Sequence, residues 1–341
     1  MIDIKIGNRA VGKKQPCFII AEGCDNHLGD MDTAKEMIRQ AKACGADAIK
    51  FQHHLPDEEM LRDGVPMSGN FNMPLYDFLK LYALSLDQHH VLKAYCDEIG
   101  IIYLCTPFSK QAAIEIQDLV PAFKIGSGEL TDLPTLKVIA GLGKPVILSS
   151  GMSVVEEIDE TINTLKPINA QLMLMNCTSE YPPKYEDINL GVIQKLEERY
   201  DIPIGHSDHT PDIYTCFGAV AMGAKLIEKH LILDRRQPGP DQSVSIEPYE
   251  LYQLVHGIRK IEAAMGSEKS IHELEKPIRA WAHRSVVSLV NIPAGATILP
   301  EMIWTKRPGT GIPARKMEDI IGMKATREIQ KDQLIRWEDF Q

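Results

Sequence analysis

Short apolar runs alternate with amphipathic stretches along most of the chain. After a short polar start, Cys17–Glu22 (CFIIAE) predicts a buried strand ending on a carboxylate, and Gly23–Asp30 a polar loop. Ala34, Met37, Ile38, Ala41 and Cys44 then recur at helical spacing up to Gly45, which closes the helix. Ala46–Gln52 returns as a strand and completes a βαβ unit. The unit recurs, with further strand-like runs at Ile101–Thr106, Ala122–Ile125, Pro145–Ser149, Gln171–Cys177, Ile202–His206 and Lys225–His230. Helical patterns separate most of them, as at Val154–Leu165 and Pro211–Met222, and a last one covers Glu250–Met265. About eight strands joined in this way predict an α/β chain folded as a (β/α)8 TIM barrel. A doubly wound open sheet is the alternative, but no GxGxxG follows the first strand.

Side-chain parity supports the barrel. On Ala46–Gln52, Ala46, Ala48, Lys50 and Gln52 share one face while Ile49 and Phe51 share the other. The apolar face meets helices, so Lys50 and Gln52 project into the lumen near the carboxyl rim, where this architecture places chemistry. Glu228 and His230 share a face in the same way, opposite Ile227 and Lys229. From about Ser285 the texture changes to short β-rich runs with Pro and Gly turns. A faint repeat, Ile292-Pro-Ala-Gly295…Ile298…Glu301 against Ile329-Gln-Lys-Asp332…Ile335…Glu338, predicts two turn-strand halves packed together. The expected layout is a barrel over residues 1–266, a charged linker over 267–284 and a small domain over 285–341, which suits a chain of 341 residues.

Composition narrows the functional classes. The formal charge of −10 argues against nonspecific nucleic-acid binding, and no Lys/Arg run contradicts it. The seven cysteines are scattered without a CxxC pair and read as buried free thiols. The amino terminus, MIDIKIGNRAVGKK, lacks the apolar core of a signal peptide, and no apolar run approaches a membrane span. The expectation is a cytoplasmic, reduced protein.

The candidate chemistry centres on Ala122–Glu129 (AFKIGSGE). A lysine inside an apolar strand calls for an anionic partner, because an unpaired buried ammonium loses several kcal/mol of hydration. Lys50 repeats the theme on another strand. Glu22, Gln52, Thr106, Ser127, Glu129, Ser149, Ser179, Tyr181, Ser207, His209 and His230 fall at the other expected strand ends. Two lysines and several hydroxyls suit a phosphorylated, carboxylated ligand, and a helix starting near Ser153 would add free N–H groups. The other reading of the lysines and Glu129 is a set of structural ion pairs across the lumen. His209 and His230 are either a metal-binding pair or hydrogen-bonded core histidines. His53-His54, His89-His90 and Asp57-Glu58-Glu59 read as solvated faces.

At this point the residues resemble a known family. Ile20-Ala-Glu22…Asn26-His27, Lys50-Phe-Gln52, Cys105-Thr-Pro-Phe108, Phe123-Lys-Ile-Gly-Ser-Gly-Glu129, Leu148-Ser-Ser-Gly-Met152, Asn176-Cys-Thr-Ser-Glu-Tyr-Pro182, Gly205-His-Ser-Asp-His-Thr210, Glu228-Lys-His230 and Pro238-Gly-Pro-Asp241 are similar to the sialic acid synthase family. The tail, with Lys306-Arg-Pro-Gly309, resembles that family's antifreeze-like (SAF) domain, a β-clip. The resemblance implies a TIM barrel that condenses phosphoenolpyruvate with an N-acylated amino sugar. N-acetylmannosamine is the expected acceptor; legionaminic and pseudaminic acid synthases, which use 2,4-diacetamido-2,4,6-trideoxyhexoses, are the alternative. It implies Lys50, Thr106, Lys124, Ser127, Ser149 and Ser207 as phosphoenolpyruvate ligands, Glu22, Gln52, Tyr181 and Asp241 as sugar contacts, and Glu129 as the acid/base. It further implies Mn²⁺ or Mg²⁺ on His209 and His230, and Arg307 reaching the sugar from the partner of a domain-swapped homodimer. Ser179 stands where some members have Asn. The competing class, suggested by the tail alone, is a non-catalytic sugar-binding protein.

Overall fold

The computed structural model describes residues 2–68 and 71–341. Eight parallel strands close a barrel: β1 Phe18–Glu22, β2 Ala48–His53, β3 Ile102–Pro107, β4 Phe123–Ile125, β5 Val146–Ser149, β6 Leu172–Cys177, β7 Ile204–Asp208 and β8 Leu226–His230. Each pairs with its neighbours in sequence, and β8 closes on β1 with His230 opposite Glu22, which in turn faces Lys50 on β2. All lie within a few residues of the runs read from the sequence. The helix Met31–Cys44 forms because Asp30 caps it, accepting from the Thr33 N–H, and Gly45 ends it at φ +88°.

Parity divides the strand residues as expected. Ile19, Ile49, Phe51, Tyr103, Phe123, Leu148, Leu174, Ile204 and Ile227 join the buried faces of the surrounding helices in one core. Phe18, Ile20, Ala48, Leu104, Ile147, Met173 and Leu226 point the other way and form a second, luminal cluster. Ile4, Ile6 and Val11 complete that cluster from a hairpin, Ile4–Ile6 paired with Arg9–Val11. The polar start of the chain thus plugs the amino-terminal end of the barrel, leaving polar lumen only at the carboxyl end. Three-residue strands carry too short an alternation to be read in advance.

Between β2 and β3 the chain adds a short helix, Pro56–Glu59, a two-residue strand pair at Met67–Ser68 and Met73–Pro74, and a helix, Leu75–Tyr82. The apolar side chains Met60, Phe71, Leu75 and Phe78 of this insertion line a cavity.

The backbone divides into two compact units, Met1–Met265 and Gly266–Gln341. In the second, a helix forms at Glu275–Ala282 inside the stretch expected to be a linker, with its apolar Ile278 and Trp281 exposed. The tail repeat is physical. Ile292 and Ile329 exchange both backbone hydrogen bonds, and Ile298 and Ile335 join them in one core. Gly295 and Asp332, equivalent in the repeat, both turn the chain at positive φ.

The outward face of β7 and β8 holds one charged exception. Lys229 Nζ lies 2.6 Å from Asp208 Oδ2, and both are buried. Thr210 and Thr215 hydroxyls donate to the same carboxylate at 2.7 and 2.8 Å. Burial alone would raise the Asp208 pKa, but His206 and Lys229 outweigh it and hold the carboxylate well below its usual range. Lys229→Met strands that charge. The variant is expected to lose about 3–5 kcal/mol in urea unfolding, most of it recovered by adding Asp208→Leu. A single-variant loss under about 1 kcal/mol contradicts the account.

Candidate active site

The carboxyl rim encloses a cavity of about 710 Å³. Its floor is a charge cluster made by strand register. Lys50 Nζ lies 2.5 Å from Glu22 Oε2, 2.9 Å from the Thr106 hydroxyl and 3.8 Å from Glu228 Oε2. Lys124 Nζ lies 3.3 Å from Glu228 Oε1, which also accepts from the Ser207 hydroxyl at 3.1 Å. Gln52 donates to Glu22 Oε1 at 3.2 Å. All four charged groups are at most 3 % exposed. Burial opposes charge on Lys50, yet Glu22 and Glu228 outweigh it and keep the ammonium protonated. Burial raises both carboxyls, but Lys124 and Lys50 prevail at Glu228 and lower it, while burial prevails at Glu22 and raises it. Glu228 is therefore the fixed counter-ion, and Glu22 the carboxyl that takes a proton more readily.

A hydroxyl wall adjoins the lysines. Ser127 and Ser149 share a hydrogen bond at 2.9 Å, and the Cys177 thiol lies 3.7 Å from Ser127 and 3.9 Å from Ser179. Gly151 is small for a reason: a Cβ there would sit 2.1 Å from Ser179 Oγ and 2.6 Å from Ser127 Oγ. The first turn of the expected helix is not among the residues that line this cavity. The helix runs Val155–Leu165, and the Val154 N–H is taken by the Glu157 carboxylate at 2.9 Å, whose charge repels an anion. The cationic groups that line the cavity are Lys50 and Lys124, with hydroxyls beside them.

On the opposite side, Tyr181 stacks on His209 with ring centroids 4.2 Å apart, and His230 lies 5.2 Å from His209. His209 Nδ1 donates to the Thr178 carbonyl at 2.8 Å, which fixes its tautomer. Burial, then the neighbouring His209 and lysines, push His230 well below the usual imidazole range, so it is neutral. Its Nδ1 is buried with no hydrogen-bond partner. A neutral ring with a free nitrogen beside a second imidazole suits a divalent metal.

A second cavity of about 500 Å³ shares Gln52, Leu75, Phe108, Glu129 and Tyr181 with the first and adds Asp25, His54, Glu59 and Asp241. Its far wall is apolar, from Met60, Phe71, Leu75 and Phe78. Glu129 faces both chambers, with burial raising its pKa and one carboxylate oxygen unpartnered. Gly126 permits this, since a Cβ would lie 2.4 Å from that oxygen.

The structure therefore gathers Glu22, Lys50, Gln52, Thr106, Lys124, Ser127, Glu129, Ser149, Ser179, Tyr181, Ser207, His209 and His230 around one cavity, with Asp241 lining the adjoining one. Arg307 belongs to the second unit, where it lies 4.8 Å over the Trp281 ring and donates to the Ala282 carbonyl. Two readings are corrected. His53, His54 and His89 are buried rather than solvated. His54 stacks on Phe108 and bonds Glu59 at 3.0 Å and Gln52 at 3.0 Å, while His53 bonds Glu115 at 3.0 Å and His89 bonds Tyr103 at 2.6 Å. Glu228 was visible through its parity with His230 and its place in the Glu228-Lys-His230 motif but was given no role, and Asp25 gave no signal beyond its place after β1.

The fold and this rim define a TIM-barrel enzyme of the sialic acid synthase type. The NeuB family model matches residues 37–270 and the SAF domain model residues 283–341, and the chain belongs to the NeuB family. It is 37% identical to N,N'-diacetyllegionaminic acid synthase of Legionella pneumophila, over 97% of both chains. It is 36% identical to human N-acetylneuraminate-9-phosphate synthase, over 96% of this chain and 93% of that one. The crystal structure of N-acetylneuraminic acid synthetase from Leptospira borgpetersenii, in complex with citrate, superposes with a TM-score of 0.74 at 33% identity, over 81% of this chain and 95% of that one.

Asp25 gives the site a measurable pH signature. Burial raises its carboxyl to about 6 from an ordinary 3.8, despite His54 Nε2 at 3.5 Å. Below the unfolded value both states are protonated. As pH rises to the folded value the unfolded chain ionises first, and stability falls. Asp25→Asn stays neutral, so its stability relative to the parent should rise by about 2.4 kcal/mol from pH 4 to pH 7 in urea titrations. A difference that stays flat across this range refutes the burial account.

Proposed function

We propose that this protein condenses phosphoenolpyruvate with an N-acylated amino sugar, N-acetylmannosamine as the first candidate, to give N-acetylneuraminic acid and phosphate. The observation that carries the reading is the pair of buried lysines that share Glu228, beside serine and threonine hydroxyls, at one barrel mouth. Two lysines meet two carboxyls here, and because burial raises Glu22 the cluster is net positive whenever Glu22 carries a proton. Here two ammonium groups lie next to open volume, as a trianionic donor requires. Lys124 and Lys50, with Thr106, Ser127, Ser149 and Ser207, hold the phosphate and carboxylate.

The adjoining chamber then takes the sugar. Glu22, Gln52, Tyr181 and Asp241 orient its hydroxyls, and the open-chain aldehyde comes to lie beside C3 of the donor. A Mn²⁺ or Mg²⁺ ion on His209 and His230 would polarise that aldehyde as a Lewis acid. Attack by C3 forms the new C–C bond as the aldehyde π pair passes to its oxygen, which takes the proton of Glu22, and it leaves positive charge at C2, which Glu228 offsets. Water adds at C2 as Glu129, whose raised pKa suits proton transfer, takes its proton. The resulting tetrahedral centre breaks its C2–O bond and releases phosphate. The apolar wall of the sugar chamber favours a second reading within the class, a 2,4-diacetamido-2,4,6-trideoxyhexose acceptor. Arg307 would reach the acyl group across a domain-swapped homodimer. No helix among the described residues is long and apolar enough to cross a membrane, which is compatible with a cytoplasmic enzyme.

Phosphate release, assayed with each sugar in turn, tests the reaction. Lys124→Ala should remain folded by circular dichroism and lose at least about a hundredfold in kcat/KM, roughly 2.7 kcal/mol of barrier. Release from neither sugar, or a loss below about tenfold, removes the assignment. Turnover should also cease in EDTA and return with Mn²⁺; full activity in chelator would exclude a metal on His209 and His230.

A further inference from the structure

His54 lies between two groups that only accept hydrogen bonds. Its Nδ1 is 3.0 and 3.1 Å from the two oxygens of Glu59, and its Nε2 is 3.0 Å from the Gln52 side-chain oxygen. The Gln52 amide nitrogen in turn donates to Glu22 Oε1 at 3.2 Å. A carboxylate and a carbonyl supply no proton, so each ring nitrogen must carry one, and the ring is an imidazolium. Phe108 stacks on its face with centroids 4.2 Å apart, which favours a cation and holds the ring in place.

The surroundings support that charge. Asp25, after β1, lies 3.5 Å from Nε2, and Glu59 ends the short helix of the insertion. Glu129, after β4, and Asp241, in the loop after β8, face the ring from two further elements. All four carboxyls line the same chamber as His54 and Gln52. The neighbouring imidazoles, His27 and His89, are pushed below the usual range by burial and stay neutral. Burial opposes charge on His54 as well, yet Asp25 and Glu59 outweigh it and hold its pKa above the ordinary value.

We propose that His54 is a positioning residue for the acceptor: clamped by Glu59, it donates to the Gln52 carbonyl and thereby turns the Gln52 amide nitrogen toward Glu22 and the sugar. The proposal rests on the reading of this chamber as the acceptor's, and it adds a residue that acts through Gln52 rather than on the reacting atoms. A carboxamide has one oxygen end and one nitrogen end, so fixing one fixes the other. With both protons on the ring, Gln52 offers N–H groups to sugar oxygens. When Nε2 loses its proton, two lone pairs oppose each other. The amide then turns over and meets the sugar oxygens with its own oxygen. Acceptor binding weakens, while the lysines and hydroxyls that hold the donor keep their contacts. A histidine at this place makes the orientation depend on pH.

Two readouts on the full chain with Mg²⁺ test this. In protein labelled with ¹³C at histidine Cε1, the resonance missing from His54→Phe, a variant that keeps a ring against Phe108, should titrate above an ordinary histidine. Glu59→Gln should lower that titration. Phosphate release reads the consequence. As pH rises through the His54 titration, KM for the sugar turned over should rise at least about fivefold, the worth of one hydrogen bond, while KM for phosphoenolpyruvate stays within about twofold. His54→Phe should show the high sugar KM at every pH, and Glu59→Gln should move the rise to lower pH. A His54 resonance that titrates at or below the ordinary value overturns the proposal, as does a rise in sugar KM that persists in His54→Phe. Either result with phosphate still released leaves the condensation standing. Release from neither sugar removes the condensation instead, and the resonance with its shift in Glu59→Gln still decides whether Glu59 holds the ring charged.

Discussion

Glu228 is the residue on which the rim depends. Two ammonium groups buried in the mouth of a closed barrel would repel each other strongly in a medium of low dielectric. One carboxylate lies within 4 Å of both, and a serine hydroxyl pins it. Charge is thereby tolerated without being cancelled. Lys50 and Lys124 together exceed what Glu228 neutralises, and Glu22, paired with Lys50 but raised by burial, supplies the difference only when it is ionised. The positive character is local, since the whole chain is acidic.

This arrangement requires a barrel with two different ends. The amino-terminal hairpin fills one end with Ile4, Ile6 and Val11, so the luminal side chains of the lower strand halves pack as core. Water and ligand meet only the upper halves. Polar residues were thus free to accumulate at the ends of β1, β2, β3, β4, β7 and β8 without costing the barrel its interior. The insertion between β2 and β3 then walls a second chamber with apolar side chains, giving the rim two environments in contact through Glu129, Tyr181 and Gln52. A charged donor and a bulkier, partly apolar acceptor could be held side by side in such a pair.

Much of this was legible in the chain. Strand and helix periodicity gave the barrel, and period-two parity gave the inward faces of Lys50, Gln52, Glu228 and His230, because a strand surrounded by helices must turn its apolar side outward. The tail repeat was legible for a similar reason: Ile292 and Ile329 are related by a local turn pattern whose equivalent residues, Gly295 and Asp332, adopt the same left-handed backbone. His53, His54 and His89 were misread because imidazoles are common on surfaces. Only the packing of Phe108, Tyr103 and Glu115 around them shows that they are buried. The helix after β5 starts at Val155 rather than near Ser153, and its first turn does not line the cavity.

The sequence by itself determined which residues could carry chemistry and which face of each strand they occupy, since both follow from local spacing. It could not determine which of them would meet. Glu22 opposite both Lys50 and His230, Glu228 between two lysines, and Cys24 beside Asp241 across more than two hundred residues follow from barrel closure and register. Those distances belong to the tertiary structure alone, because a closed sheet fixes long-range neighbours that no stretch of chain specifies.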